Sequence, residues 1–243
     1  MPVTVRIGTS GWAYTHWRNV LYEPGLPTTR WLERYVAEFD TVELNGSFYR
    51  WPSDARFEQW RTQLPAGFVM AVKAARGLTH ARRLRNPEVW SERLERGWRA
   101  LGDRSGPLLV QLHPALERDD SRLEHFLEVM PADIPVAVEF RHPSWEDEAV
   151  YELLEKHDAA YVVMSGAGLP CVLKATARFV YVRLHGPDPN DMYGGSYSAD
   201  DLLWWADRIG EWDAQGRYVF VYFNNDLGGN AVRNARDLRA ISV

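Results

Sequence analysis

The sequence predicts an α/β protein whose fold is a single (β/α)8 barrel of the TIM type with an irregular sixth crossover. Short segments rich in Val, Phe and Tyr recur along the 243 residues, and most are followed by a longer segment of helical periodicity. Strands and helices that alternate in this way through a chain of about 250 residues are typical of such a barrel. We therefore expect one domain, residues 1–243.

The predicted strands are short runs of β-branched and aromatic residues bounded by turn residues. They are residues 5–9, 40–45, 68–74, 108–113, 136–141, 160–165, 179–185 and 218–224. An open doubly wound sheet is the alternative. It lacks support because no G-x-G-x-x-G follows the first strand, where "GTSGW" has a different spacing.

The predicted helices are amphipathic, and several begin at residues that cap helices. They are residues 28–39, 53–64, 86–101, 120–130, 144–158, 198–213 and 230–242. Thr28, Ser53, Asn86 and Ser144 are the expected caps, and Pro87 is expected in a first turn. The stretch "LPCVLKATAR" is too short and too punctuated for a helix, so the sixth crossover is expected to be irregular.

Composition excludes several classes of protein. The hydrophobic content is 46%, the charged content 25% and the formal charge −5, which gives no general attraction to nucleic acid or anionic membranes. A single cysteine, Cys171, excludes an internal disulfide framework. The N-terminal "MPVTVRIGTSGW" lacks the secretory pattern, and no apolar run reaches the roughly 18 residues of a membrane span. We expect a cytoplasmic protein without a membrane partner.

Polar residues collect at the carboxyl ends of the predicted strands, on the face that should point into the barrel. Alternation within a strand separates Glu139 and Arg141 from the apolar Val138 and Phe140, and other strands repeat the pattern. Ionisable groups at that end of a barrel indicate a site. The candidate catalytic residues are Glu43 and Glu139, and the candidate substrate-binding residues are Asn45, Lys73, Gln111, Arg141, Arg183, His185, Tyr222 and Asn224.

The charges of this polar set favour an anionic ligand. Three cations, at positions 73, 141 and 183, against two glutamates leave one positive charge. Arginine forks suit phosphate or carboxylate, and a lysine adds a point charge. Glu43 and Glu139 are the carboxylates on clear inward positions, and two such groups can divide acid and base roles. The structural alternative is a buried ion-pair network that closes the top of the barrel.

Metal binding is a weaker interpretation of the same strand ends. His113, Glu139, His185 and Asp226 have suitable ligand chemistry, but the three nearby cations would oppose a divalent ion. We therefore expect neither a metal nor another cofactor.

A basic cluster follows the third strand, in "RGLTHARRLR". Its arginines are Arg76, Arg82, Arg83 and Arg85. They suit either a solvated helix start or a rim that contacts phosphates of a ligand or a nucleic acid.

Taken together, the motifs resemble the domain of unknown function 72 family, also called YecE-like. They are "GTSGWAYTHW", "FDTVELNGSFY", "VKAARGLTH", "GPLLVQLHP", "VAVEFRHPSW", "YVRLHG" with "YGGSYS", and "VYFNNDLGGNAVRNA", and they cover nearly the whole chain. The resemblance implies a TIM barrel but no catalytic residues, because the family's biochemical function is unassigned. A looser similarity to endonuclease IV and sugar-isomerase barrels suggests phosphodiester or sugar chemistry, although those sites hold metals.

The sequence favours an enzyme, a hydrolase, lyase or isomerase, that acts on a phosphorylated or other anionic substrate. A sugar phosphate, a nucleotide or a nucleic-acid fragment would fit, with carboxylate acid/base chemistry at the carboxyl ends of the strands. The alternatives are a non-catalytic nucleic-acid-binding module and a metal-dependent hydrolase of the phosphodiesterase type.

Overall fold

In the computed structural model, which describes residues 4–242, eight parallel strands alternate with helices. The strands are β1 (Val5–Thr9), β2 (Thr41–Leu44), β3 (Val69–Lys73), β4 (Ser105–Gln111), β5 (Val136–Glu139), β6 (Ala160–Ser165), β7 (Phe179–Leu184) and β8 (Tyr218–Phe223). Their order in the sheet is β1-β8-β7-β6-β5-β4-β3-β2, so consecutive strands from β2 to β8 are neighbours and β1 lies beside β8. This is the (β/α)8 TIM-type fold, and the predicted fold class is confirmed.

Every predicted helix is present, with shifted ends. The α-helices are α1 (Trp31–Val36), α2 (Gly46–Tyr49), α3 (Asp54–Gln63), α4 (Glu88–Ala100), α5 (Asp120–Val129), α6 (Glu148–Lys156), α7 (Ala199–Ala214) and α8 (Asn230–Ile241). A π-helical turn, Gly77–Ala81, lies between β3 and α4. Neither α2 nor this turn is predicted from the sequence. Both directly follow strands that carry candidate site residues.

The expected caps are correct at one position and wrong at three. Ser53 accepts a hydrogen bond from the amide of Arg56 and caps α3, as predicted. Asn86 does not cap α4, because its φ of 50° turns the chain left-handed and the helix starts only after Pro87. Thr28 lies inside a 3-10 turn, and Arg30 is the residue before α1. Ser144 also lies inside a 3-10 turn, and the side chain of Asp147 caps α6 instead.

The irregular sixth crossover is confirmed. Residues 166–178 contain no helix. The hydroxyl of Thr176 accepts from the amide of Tyr161 at 2.8 Å and donates to the carbonyl of Ala159 at 2.7 Å. These two bonds connect the end of the crossover to the start of β6.

Backbone contacts divide the chain into two compact units. The first unit comprises residues 4–43, 163–173 and 178–242, and the second comprises residues 44–162 and 174–177. In the first unit β8 pairs with β1 and with β7, and in the second β4 pairs with β3 and with β5. The single domain stays a prediction.

Strand burial explains why polar residues at the strand ends are informative. All residues of β2, β5 and β7 are buried, most of them aliphatic or aromatic. Glu43, Glu139 and Arg183 are nevertheless 0% exposed. Because a buried charge is costly unless it is paired, each of these side chains must have specific partners. Among residues 4–242, no helix has both the length and the apolar character needed to cross a membrane.

Candidate functional site

In the first unit, a buried ion pair joins β2 to β7. The guanidinium of Arg183 meets the carboxylate of Glu43 in a two-point contact, with Nε 2.9 Å from Oε2 and Nη2 2.8 Å from Oε1. Two parallel bonds of this kind fix the plane of both groups. The pair therefore holds the Arg183 side chain rigidly within the first unit.

Two hydroxyl groups also donate to the Glu43 carboxylate. Ser10 donates to Oε1 at 2.5 Å, and Tyr181 donates to Oε2 at 2.8 Å. Burial, and next the charge of Glu43, raise the pKa of Tyr181 well above 10, so this hydroxyl keeps its proton. With four hydrogen bonds the carboxylate uses its full acceptor capacity. Glu43 thus has the surroundings of a permanent counter-ion.

Tyr222 lies beside this group on β8. Its hydroxyl is 2.7 Å from the hydroxyl of Thr41, and its ring centroid is 5.2 Å from that of Tyr181. Burial raises its pKa well above 10. The predicted substrate residue Tyr222 is therefore a neutral, fully buried neighbour of the Glu43 pair.

His185 and Asn224 meet at the ends of β7 and β8. The amide nitrogen of Asn224 lies 3.1 Å from Nδ1 of His185. Since that amide can only donate, Nδ1 accepts, and the proton of neutral His185 lies on Nε2. The ring centroid of Tyr193 lies 5.6 Å from that of His185. The backbone of Tyr193 is left-handed, with a φ of 82°. Both predicted residues are brought together here.

In the second unit, Glu139 and Arg141 form the corresponding pair at the end of β5. Oε1 of Glu139 lies 2.5 Å from both Nε and Nη2 of Arg141. The two side chains are 0% and 6% exposed. Gln111, at the end of β4, lies opposite Glu139 in the strand register. The sequence prediction that residues 139 and 141 share one side of the strand end agrees with this contact.

Lys73, at the end of β3, lies above an aromatic ring that also contacts a histidine. Its ammonium is 4.5 Å from the ring centroid of Phe48, and the imidazole of His80 meets the same ring edge-on at 4.9 Å. The ring centroid of His113 lies 5.1 Å from that of His80. Nδ1 of His113 accepts a hydrogen bond from the backbone amide of Ala115. We call the group formed by Phe48, Lys73, Arg76, His80, His113 and Arg141 the His80 cluster.

Burial and nearby positive groups both act on the imidazole of His80. Burial lowers the pKa of His80 to about 4, and the neighbouring His113, Lys73, Arg76 and Arg141 lower it further in that direction. His80 is therefore neutral at pH 7 although it is half-buried and open to solvent in part. The low pKa of His80 thus comes first from burial and second from the positive groups around the imidazole.

The π-helical turn Gly77–Ala81 places His80 in this position. The hydroxyl of Thr79 lies 3.0 Å from Nδ1 of His80 and steadies the ring. A side chain on Gly77 would overlap the ring of Trp90, so the turn requires glycine there. Single π-helical turns occur frequently at functional sites. The packing of Gly77 and the contact with Thr79 together fix the position of His80 in this loop.

The exposed rim of the second unit contains the predicted basic residues. Arg76, Arg82, Arg83 and Arg85 are all exposed.

Asn45, at the end of β2, has a buried side-chain oxygen without a hydrogen-bond partner. An acceptor of this kind is costly to bury, and a ligand N–H or O–H group could satisfy it.

The sequence analysis missed the two central residues of the His80 cluster. His80 and Phe48 belong to no predicted strand, so alternation within strands does not detect them. A signal was present in the combination of a histidine with four arginines in "RGLTHARRLR". In residues 4–242 no group of three or more His, Cys, Asp or Glu side chains has the arrangement of a metal site.

Comparison with known proteins finds relatives of this chain in two bacteria. The UPF0759 protein YunF of Bacillus subtilis is 27% identical over 96% of this chain and 93% of its own length. The UPF0759 protein YecE of Escherichia coli K12 is 29% identical over 58% of this chain and half of its own length.

Solved structures agree with the fold and the family. A DUF72 family protein of Thermotoga maritima has a TM-score of 0.88 with 29% identity, covering 98% of both chains. Another, from Enterococcus faecalis, has a TM-score of 0.86 at 18% identity over 98% of this chain and 95% of its own, a likeness that shows the fold alone. The family model described as "Protein of unknown function DUF72" matches residues 6–242. The chain belongs to the DUF72 family.

Proposed function

We propose that the protein is an enzyme that binds a phosphorylated or other anionic small molecule at the His80 cluster. The observation that carries this proposal is the convergence of Lys73, Arg76 and Arg141 on a neutral imidazole at the carboxyl ends of β3 to β5. Barrel enzymes bind their substrates at that end of the strands. Stability alone does not require charged side chains at the strand ends. Apolar residues can often replace buried ionic groups there at little cost in the free energy of folding.

The charges of the His80 cluster define the ligand class. Lys73, Arg76 and Arg141 supply three positive charges, and Glu139 supplies one negative charge through its pair with Arg141. A phosphate monoester or a carboxylate offers oxygens that these cations can bind, whereas a neutral sugar does not. Arg141, held by Glu139, offers a guanidinium already oriented for an oxyanion.

His80 is the group best placed to exchange a proton with the bound ligand. It is half-buried, whereas Glu43 and Glu139 are 0% exposed. Four hydrogen bonds occupy Glu43, and two bonds from Arg141 occupy Oε1 of Glu139. The acid/base role predicted for the two glutamates stays a prediction. Because their oxygens are occupied, we propose instead that they hold their arginines in place and that His80 is the general base.

A binding and turnover experiment tests this function. Inorganic phosphate is titrated calorimetrically into the wild type, Lys73→Met and Arg141→Met, and sugar phosphates and nucleotides are then screened for turnover. Lys73→Met should weaken phosphate binding by about tenfold or more, since one charged hydrogen bond contributes roughly 1.5–3 kcal/mol. His80→Gln should abolish turnover of any substrate found while retaining phosphate binding at pH 7.5.

The matched control is Lys174→Met, a partly exposed lysine of the same unit that pairs with Glu148. It should bind phosphate as the wild type does. Unchanged phosphate affinity in both Lys73→Met and Arg141→Met would contradict the proposed site. Turnover that survives His80→Gln would remove the assigned base.

A nucleic-acid-binding module is the second candidate, and the exposed arginines favour it. Arg76, Arg82, Arg83 and Arg85 could each contact a phosphate of a strand laid along the loop. Such binding should weaken steeply with salt and become weaker in Arg82→Ser with Arg85→Ser. Retained affinity in this double variant would exclude the loop as the interface. We further propose a cytoplasmic location, which detection of the protein after cell fractionation tests.

A further inference from the structure

Tyr49, at the end of α2, is the most exposed phenylalanine, tyrosine or tryptophan among residues 4–242. It is 72% exposed, whereas the next most exposed, Tyr218, is 44% exposed. Its hydroxyl forms no hydrogen bond with any residue in that range. A ring that lies mostly in water contributes little to the stability of the fold, since hydrophobic stabilisation is proportional to the apolar area buried. Most of its surface is therefore open to a ligand.

Tyr49 contacts the His80 cluster through Phe48. The ring centroids of the two residues are 5.1 Å apart, with the ring planes perpendicular. The centroid of Phe48 in turn lies 4.5 Å from the ammonium of Lys73 and 4.9 Å from the imidazole of His80. Because the distances of 5.1 and 4.5 Å both end at the Phe48 centroid, the Tyr49 ring and the Lys73 ammonium are at most about 10 Å apart. An exposed flat ring thus lies beside the proposed anion site.

The turn that carries both rings is attached to β3. The buried hydroxyl of Ser47 donates to the backbone carbonyl of Lys73 at 2.6 Å. The amide of Phe48 donates to the carbonyl of Asn45 at 3.2 Å, which closes the turn. These bonds fix the backbone of Phe48 and Tyr49 relative to the end of β3. A ring whose backbone is already in place requires less ordering when a ligand binds.

The position of Tyr49 fits a ligand that combines a flat ring with a phosphate. Nucleic-acid bases stack on aromatic side chains with little dependence on which base is present. The edge-on contact with Phe48 occupies at most one face of the Tyr49 ring, so the other face can receive a base. One sugar separates the base from the phosphate in a nucleotide, a span that fits the short distance from Tyr49 to Lys73. A sugar phosphate without a base would leave the Tyr49 ring unused.

We propose that the ligand of the His80 cluster is a nucleotide, whose base stacks on Tyr49 while its phosphate binds the cations of the cluster. This inference rests on the proposed function, since it requires a phosphate at this cluster. It adds the class of ligand and the residue that distinguishes a nucleotide from a sugar phosphate. Tyr49 binds the base and takes no part in proton transfer, which stays with His80.

The experiment compares two ligands that share a ribose and its phosphate and differ in the base. Ribose 5-phosphate and adenosine 5′-monophosphate are titrated calorimetrically into the wild type, Tyr49→Phe and Tyr49→Ser. The wild type should bind the nucleotide about tenfold more tightly, because stacking of one base on an aromatic side chain has an effect of this size. Tyr49→Phe keeps the ring and should keep this preference. Tyr49→Ser should bind the two ligands about equally.

The matched control is Tyr218→Ser. Tyr218 is also exposed, but it lies in the first unit at the start of β8. The control should keep the preference for the nucleotide. The affinity for ribose 5-phosphate should stay unchanged in every variant, because Tyr49 contacts only the base; a general disturbance of the site would lower it.

Each outcome decides a different claim. A preference for the nucleotide in the wild type and Tyr49→Phe that is absent in Tyr49→Ser supports the inference. Equal binding of the two ligands by the wild type, or a preference that persists in Tyr49→Ser, would overturn the inference and leave the proposed function intact. Loss of the preference in Tyr49→Phe as well would overturn the stacking contact. Absence of binding of both ligands and of inorganic phosphate would overturn the inference and the proposed function together.

Discussion

Replacement of Glu43 by glutamine should strongly destabilise the first unit. The carboxylate accepts from Ser10, from Tyr181 and twice from Arg183, all at buried positions. A glutamine keeps one oxygen and turns an N–H2 group toward the remaining donors. Ser10 and Tyr181 can rotate their hydroxyls and accept instead, but the guanidinium cannot, and its charge loses its partner. Removal of one partner of a buried pair costs about 3–5 kcal/mol, and we expect about 3 kcal/mol here.

Urea unfolding followed by tryptophan fluorescence measures this loss of stability, since the chain has 11 tryptophans. Glu211→Gln is the control, because its partner Arg208 forms a surface pair and the Glu211 side chain is 58% exposed. That variant should unfold almost as the wild type does. Addition of Arg183→Met to Glu43→Gln should recover part of the lost stability, because it removes the unpaired charge. A loss below about 1 kcal/mol in Glu43→Gln would refute the assignment of Glu43 as a structural counter-ion.

Three further predictions concern local structure and pH. The pKa of His80 is lowered from 6.5 to about 4 in the folded protein. Its contribution to stability is therefore present above pH 6.5 and is lost as the pH falls toward 4. In His80→Gln, the urea midpoint of unfolding should depend less on pH in this range. Gly77→Ala should destabilise by about 1–3 kcal/mol, since its methyl group overlaps Trp90. By contrast, Gly210→Ala, in open space on α7, should stabilise by about 0.5–1 kcal/mol, and equal effects at the two glycines would contradict the packing. Ser198→Ala removes the capping box of α7 and should lower the free energy of unfolding by about 0.5–2 kcal/mol in urea titrations; an unchanged value would exclude a stabilising cap.

The fold was predictable because strand composition and helical periodicity depend on local sequence. β1 and β6 have the predicted bounds, and the irregular sixth crossover was recognised from its punctuation. The caps were less predictable, because a cap requires a particular backbone conformation. Asn86 is a common cap by residue type, but its left-handed φ places it outside the helix.

The candidate site was predictable where it depended on alternation within strands. That alternation identified Glu43, Lys73, Glu139 and Arg183, and each is buried. It could not identify the partner of each charge, because Glu43 and Arg183 are 140 residues apart in the chain. Nor could it detect His80, whose position depends on a π-helical turn and on packing against Phe48.

The most direct test of an anion site at the His80 cluster is an NMR titration of the wild type with inorganic phosphate at pH 7.5, with backbone amides assigned. We predict saturable shifts that are largest for Arg76, His80, His113 and Arg141. The same titration of Lys73→Met should show these shifts only at about tenfold higher phosphate concentration or above. Saturable shifts centred on other residues, or identical titrations of wild type and Lys73→Met, would contradict the account.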